Sequence, residues 1–210
     1  GTGNSSPNSM SMYWISNSNM MTTLTAKYDL KLGQHAVNFL VGTSYEHYKS
    51  ERLYSKRTDF VSDGLEDIEQ GNNISKDLPD GRGIVESKML SYFGRINYSY
   101  KDRYLFEANL RADASSRFHK DNRWGWFPSF SAGWRISEES FMKPIAWLNN
   151  LKLRASYGTL GNINNVGYYD YFELLSSNAN YNFNDEPVKG VLEAQITNKT
   201  LGWETVALAD

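Results

Sequence analysis

The 210-residue chain contains no cysteine, which excludes a disulfide framework and any thiolate metal site. It has no run of 18 or more apolar residues, so a transmembrane helix is excluded. Membrane-crossing strands stay open, because such a strand needs only one apolar face. Neither sign of charge is in excess: 22 Lys and Arg against 24 Asp and Glu leave a formal net charge of −2. Nothing in that balance suggests a nucleic-acid binder. No signal peptide opens the chain, where "GTGNSSPNSM" is polar, and the chain is read as an internal segment of a longer protein. G-x-S-x-G, P-loop and EF-hand patterns are missing. "GRG" at Gly81 to Gly83 reads as a loop rather than a phosphate cradle. The three histidines, His35, His47 and His119, fall at turns or strand ends without metal-ligand spacing. No enzyme activity, metal or cofactor is expected.

What the chain does have is aromatic residues and a period of two. Aromatics make up 14% of the residues, with tyrosine leading at 14 copies. In "MTTLTAKYDLKL", Leu24, Ala26, Tyr28, Leu30 and Leu32 alternate with Thr23, Thr25, Lys27, Asp29 and Lys31. "AVNFLVGTSYE" sets Val37, Phe39, Val41 and Tyr45 against Asn38, Gly42, Ser44 and Glu46. "LSYFGRINYSY" sets Leu90, Tyr92, Ile96 and Tyr98 against Ser91, Arg95, Asn97 and Ser99. "RYLFEANLRAD" sets Tyr104, Phe106, Ala108, Leu110 and Ala112 against Glu107, Asn109, Arg111 and Asp113. "WGWFPSFSAGWRI" puts Trp124, Trp126, Phe130, Ala132, Trp134 and Ile136 on one face with Pro128. Its other face is small and polar except for Phe127. "LKLRASYGT" sets Leu151, Leu153, Ala155 and Tyr157 against Lys152, Arg154, Ser156 and Gly158. "LGWETVALAD" is a candidate start of a seventh strand.

These six strands of roughly 9–13 residues exceed the ~5–6 of soluble sheets and match the ~9–11 that cross a bilayer at a tilt. Their connections alternate in length. Gly33-Gln34 and Lys101-Asp102 are tight turns. Ser137 to Asn149 joins them at the same end and reads as a short helix capped by Ser137, with Glu139 in its first turn. Tyr48 to Lys88, Ser115 to Asn122 and Gly161 to Thr200 are long loops at the other end. Short turns at one end and long loops at the other is the layout of an outer-membrane barrel.

Alternation by itself fits three architectures: a soluble β-sandwich, a soluble β-rich carbohydrate-binding module with aromatic platforms, and a barrel wall with lipid on one face. Aromatic position favours the wall. Trp126 and Trp134 are eight residues apart, roughly 20 Å along a tilted strand and close to the ~25 Å apolar band of such barrels. The expected interface anchors are Tyr45, Tyr98, Tyr104, Trp124, Trp126, Trp134 and Tyr157, with Ala108, Ala132 and Ala155 nearer the middle. The expected lumen face carries Lys27, Asp29, Arg95, Glu107, Arg111, Asp113, Phe127, Lys152 and Arg154. Glu107 and Asp113 read as hydrated lining rather than as an acid–base pair.

The stretch "SYFGRINYSYKDRYLFEANLRADASSRFHKDNRWGWFPSFSAGWRISEESFM", followed by "LNNLKLRASYGTLGN", closely resembles the SusC/RagA family of TonB-dependent outer-membrane transporters of Bacteroidetes. "TTLTAKYDL", "HAVNFLVGTSYE" and "NKTLGWET" extend the resemblance over most of the chain. It implies an all-β fold, an antiparallel transmembrane β-barrel. In that family 22 strands close around an N-terminal plug, a SusD-like lipoprotein caps the extracellular face, and such pairs often dimerise. The implied function is import of oligosaccharides or peptides, with energy passed from TonB through the plug. The 210 residues are then expected to be part of one barrel domain, with the plug and remaining strands outside them. An open sheet of six strands would leave two unpaired edges in lipid.

Two loop motifs stand out. In Ser115, Ser116, Arg117 and Phe118 the serine hydroxyls are expected to order the loop by bonding backbone, with Arg117 pairing a nearby acid such as Asp113. The family usually reads Asp-Gly-Ser-Ser-Arg-Phe, and here Ala114 follows Asp113, which bears on that loop's backbone. "GYYDYFELL", with Tyr168, Tyr169, Tyr171 and Phe172, and the acidic Tyr48 to Lys88 loop are the candidate contacts for a partner or substrate.

Overall fold

The computed structural model describes residues 8–61, 64, 67–71, 81–145, 147–173, 175–183, 186–193 and 197–210. The described strands are β1 (Ser9–Leu32), β2 (His35–Thr58), β3 (Gly81–Tyr100), β4 (Tyr104–Ser115), β5 (Trp124–Arg135), β6 (Lys152–Asn162), β7 (Leu175–Phe183), β8 (Glu186–Glu193) and β9 (Glu204–Ala209). One sheet runs β1-β2-β3-β4-β5-β6-β9, and β7 and β8 form a separate hairpin. The tight turns come from left-handed backbone. Gly33 sits at φ 60°, and Lys101 and Asp102 at φ 53° and 54°, the pair of positive angles of a type I′ turn, closed by the Arg103 N–H donating to the Tyr100 carbonyl at 3.0 Å.

The six expected strands are present and the seventh forms as β9, paired with β6 from Tyr157↔Ala209 to Asn162↔Glu204. Three expectations are corrected. First, β1 and β2 have 24 residues each and β3 has 20, well beyond the ~9–11 of a single crossing. The expected Tyr48 to Lys88 loop is therefore strand at both its ends. Glu51 on β2 is held across the ladder by Arg82 on β3, and at 3.3 Å by Lys49 two residues before it on its own strand, so polar composition here marks a paired strand and not a loop. Residues 62, 63, 65, 66 and 72–80 of that stretch lie outside the described residues. Second, the expected helix after β5 is a single 3-10 turn, Ile136–Glu138, capped by Arg135 without a side-chain bond. The Ser137 hydroxyl is buried with no partner and does not cap. Third, the expected loop of 161–200 contains the β7–β8 hairpin.

Two compact units divide the chain: Gly1–Met20 with His47–Ser87, and Met21–Glu46 with Lys88–Asp210. In the first, Asn8 closes on the end of β2. Its side-chain amide donates to the Phe60 carbonyl at 3.0 Å, and its side-chain oxygen accepts the Phe60 N–H at 2.8 Å. Tyr13 and Tyr54 pack ring to ring at 4.8 Å.

The second unit carries the register that separates the two faces. Tyr100↔Tyr104↔Trp134↔Leu153 form the row at the short-turn end. Next come Tyr98↔Phe106↔Ala132↔Ala155, then Ile96↔Ala108↔Phe130↔Tyr157. Tyr92↔Ala112↔Trp126 and Leu90↔Ala114↔Trp124 lie at the long-loop end. The end rows are rich in stacked rings: Tyr100–Tyr104 at 6.3 Å, Tyr104–Trp134 at 6.5 Å and Tyr92–Trp124 at 5.9 Å. Tyr157 stands in the central row opposite Phe130, and Tyr98 stands one row inside the end. Ala114 sits in regular strand pairing and its φ is not positive, so alanine fits where the family pattern has glycine.

This apolar face is exposed: Tyr92, Ile96, Phe106, Leu110, Trp126 and Phe130 all present large apolar area. Among the described residues only Ala112, Phe118 and Phe127 are buried apolar side chains. A soluble sandwich would bury this face against a second sheet. A barrel wall leaves it to lipid.

Candidate functional site

On the opposite face the register stacks polar groups in rows: Ser91↔Asp113↔Gly125, Phe93↔Arg111↔Phe127, Arg95↔Asn109↔Ser129 and Asn97↔Glu107↔Ser131. Cross-strand neighbours at ~5 Å, and alternate residues along one strand, can satisfy one another, and they do. The Arg111 Nε donates to both Asp113 carboxylate oxygens at 2.8 Å, and its Nη2 donates to the Ser91 hydroxyl at 3.0 Å. The same guanidinium lies over the Phe93 ring at 5.8 Å. Arg95 donates to the Asn109 side-chain oxygen at 2.7 Å, and the Asn109 amide donates to Glu107 at 2.8 Å and Ser129 at 3.2 Å. Arg95, Glu107, Arg111 and Phe127 thus surround one hollow of about 730 Å³. Arg154 is opposite Gly133 and Lys152 opposite Arg135, nearer the short turns. Lys27 and Asp29 pair on β1 at 3.0 Å, with Asn38 donating to Asp29 at 2.6 Å. The nine residues expected on the polar face all share the polar alternation of their strands.

Phe127 is the exception in chemistry, and its packing explains it. Its ring meets Trp203 edge-on at 5.3 Å, and Trp203 meets Phe118 at 5.4 Å. Phe118 is fully buried. Gly125 and Gly161 leave the space: a methyl group on either would overlap the Phe127 ring. The Trp203 ring N–H donates to the Arg123 carbonyl at 2.7 Å, and Arg123 donates to the Phe118 carbonyl at 3.1 Å. Three aromatic rings therefore join the β4–β5 loop, β5 and the segment before β9. Sequence reading missed Trp203 because the partners are 76 and 85 positions away along the chain, and alternation reports only local order.

In the Ser115-Ser116-Arg117-Phe118 motif both serine hydroxyls accept backbone N–H groups. The Ser115 hydroxyl accepts the Arg117 N–H at 3.2 Å, and the Ser116 hydroxyl accepts the Lys88 N–H at 2.9 Å. Arg117 does not pair with Asp113, which Arg111 already neutralises. Instead Arg117 donates to the Val166 carbonyl at 3.2 Å and its guanidinium covers the Tyr168 ring at 4.1 Å, a cation–π arrangement. Three of the four aromatics of "GYYDYFELL" form one cluster. Tyr171 and Phe172 are 4.3 Å apart, Tyr169 and Phe172 6.2 Å, and His119 meets Tyr171 edge-on at 6.2 Å. Tyr169 and Phe172 present exposed rings, whereas Tyr168 is taken up by Arg117.

A fourth group, unforeseen, lies at the short-turn end. Glu139 is buried at 8% exposure. Its Oε1 accepts the Tyr104 hydroxyl at 2.7 Å and the Trp134 ring N–H at 3.1 Å, and its Oε2 accepts Arg103 at 3.1 Å. The Tyr104 bond, followed by the Trp134 bond, holds this carboxyl below its ordinary pKa, against the opposing effect of burial. Two expected interface anchors thus give their polar ends to a protein carboxylate.

The histidines bond to neighbours: His35 with Tyr98 at 2.8 Å, His47 with Glu86 at 2.9 Å, His119 with Asp121 at 3.2 Å. Among the described residues no three His, Cys, Asp or Glu side chains converge in a way that could hold a metal ion. The arrangement can line a wet passage and hold loops at its mouth.

The chain is similar to known proteins over most of its length. The TonB dependent receptor-like, beta-barrel family matches residues 1–206. The TonB-dependent receptor SusC of Bacteroides thetaiotaomicron is 34% identical over 189 residues, 89% of this chain and 18% of SusC. TonB-dependent receptor P39 of Formosa agariphila is 34% identical over 174 residues, 83% of this chain and 16% of P39. Among solved structures, the RagAB peptide importer in its "closed-closed" state superposes with a TM-score of 0.82 at 27% identity, covering 95% of this chain and 22% of the matched chain. The chain therefore spans less than a fifth of these curated relatives. The family match runs from the first residue into β9, across every strand of the larger sheet, and the chain belongs to the TonB-dependent receptor β-barrel family.

Proposed function

We propose that the chain forms part of the wall of an outer-membrane nutrient importer of a Gram-negative, Bacteroidetes-like bacterium. It acts in a whole protein energised by TonB through a plug domain, with a SusD-like surface lipoprotein at the long-loop end and a glycan or peptide as cargo. The observation that carries this reading is the exposed apolar face bounded by two rows rich in stacked aromatic rings. That banding suits a bilayer with an aromatic girdle at each surface. In this role Trp124 and Trp126 anchor the outer rim and Trp134 the inner, while Arg95, Glu107, Arg111 and Asp113 line the lumen. Tyr169 and Phe172, at the mouth, supply aromatic contact for cargo or lipoprotein. The role needs no chemistry beyond binding and passage, and the protein is not an enzyme.

The test is growth of a strain deleted for the whole gene on a panel of glycans and peptides. Loss of growth on one class, restored by the gene, supports import and names the cargo. Unchanged growth on every member of the panel, with uptake also unchanged, contradicts it. A protein that stays monomeric and folded in plain buffer without detergent would return the reading to a soluble binding module.

A further inference from the structure

The segment between β5 and β6 is longer than the tight turns beside it and closes on itself. The Ser137 N–H donates to the Leu151 carbonyl at 3.1 Å. Three successive turns follow within it, from Met142 to Glu139, Ile145 to Met142 and Leu148 to Ile145, at 3.0, 3.0 and 3.2 Å. Its two large aromatics are turned out. Trp147 is 81% exposed and Phe141 61%, among the most open of the described large apolar side chains. Such exposure costs free energy unless something apolar covers it.

The buried Glu139 shows on which side of the wall this segment is tied. Its carboxylate accepts from Tyr104 and Trp134, both in the end row of the apolar face. Through these two rings the segment is fastened at the level of an aromatic row of the face that the proposed function gives to lipid, with Arg103 of the neighbouring turn as the carboxylate's third donor at 3.1 Å. Exposed Lys143 lies between the two aromatics in sequence. Aromatic rings with a neighbouring lysine suit the junction of acyl chains and phosphates, where the rings take the boundary and the ammonium meets anionic headgroups.

We infer that residues 137–145 and 147–151 form a foot that rests in the membrane interface at the short-turn end, with Phe141 and Trp147 inserted among phospholipid headgroups and Glu139 fixing the foot to the wall. The inference rests on the outer-membrane reading of the apolar face. Its partner is the phospholipid leaflet itself, continuous with the row of Tyr100, Tyr104 and Trp134.

The experiment uses the whole barrel in phospholipid vesicles and isolates the emission of Trp147 as the difference between wild type and Trp147→Phe. Trp126 is isolated in the same way with Trp126→Phe. The expected result is Trp147 emission shifted to the blue, quenched by lipids brominated near the headgroup end of the chain, and protected from iodide on both sides of the bilayer. Phe141→Ser should weaken that protection, leaving Trp126 unchanged. Trp147 freely quenched by iodide while Trp126 responds to brominated lipid would overturn the foot and leave the membrane reading standing. Trp126 quenched by iodide as well would overturn both. Trp147 protected from iodide yet blind to brominated lipid would mean a protein covers it, and would also overturn the inference.

Discussion

Arginine at Ala108 and arginine at Ser131 probe the two faces of the sheet at nearly the same height. Ala108 pairs with Phe130, and Ser131, the next residue along β5, pairs with Glu107. Ala108 is four residues from Tyr104 in one end row and four from Ala112 in the row of Trp126. Four residues along a strand tilted by ~40° rise about 10 Å, so the Ala108 side chain stands near the middle of the apolar band. An arginine there is expected to cost about 2–4 kcal/mol, a factor of roughly 30 to 900 in the folding constant. At Ser131 the new guanidinium faces Glu107 across the β4–β5 ladder, in the polar row that includes Ser156. The expected change is within about 0.5 kcal/mol. The measurement is guanidinium titration of the whole barrel folded into vesicles, comparing each variant with the parent. Equal costs at the two positions, or a larger cost at Ser131, would refute the assignment of faces and with it the membrane reading.

Three further outcomes are expected. Phe118→Ala empties a fully buried site against Trp203 and should cost about 3–5 kcal/mol, read as faster amide exchange in 115–123 and around Trp203, with the strand centres of β4 and β5 unchanged. Asp102→Gly removes a non-glycine residue from φ 54° and should stabilise the β3–β4 hairpin by about 1 kcal/mol, measured as a rise in the unfolding midpoint; a fall would mean that the Asp102 side chain does more than fill the turn. Glu139 has its folded-state pKa below the unfolded value, so its contribution is present above about pH 4.3 and is lost as pH falls through the folded pKa. Glu139→Gln should therefore flatten the acid limb of the stability curve of the whole barrel, and a variant that keeps the parent's acid limb would show that the carboxylate charge is not what holds Tyr104 and Trp134.

Glu139 also changes what the girdle means at this end of the wall. Interface tyrosine and tryptophan ordinarily offer their polar tips to headgroups and water. Here the tips of Tyr104 and Trp134 are spent on a carboxylate of the adjoining segment, while the neighbouring Tyr100 ring packs against His35 at 4.7 Å with Lys101 over it at 5.2 Å. At the long-loop end Phe118, Phe127 and Trp203 play the matching part, fastening loops to strands by burial where the short-turn end uses a charge.

The amino-acid sequence by itself determined the faces, the tight turns and the family. A period of two needs only neighbouring residues to be read, positive φ at Gly33 and Lys101-Asp102 is a local property, and the stretch from Ser91 to Gly161 carries long, specific motifs. Strand length, the β7–β8 hairpin and the side-chain hubs were decided by tertiary structure. The outer ends of β2 and β3 are polar enough to pass for loop, and the contact of Glu51 on β2 with Arg82 on β3 exists only once the two strands lie side by side. Arg117 had a plausible partner four residues away in Asp113, but Arg111 was nearer to it on the same face, and Tyr168 was brought within reach from 51 residues on. Phe127 looked misplaced on a polar face until Trp203 closed over it. Glu51 with Arg82, Arg117 with Tyr168 and Phe127 with Trp203 each join residues far apart in the chain, and their energy depends on burial and contact geometry that exist only once the sheet has formed.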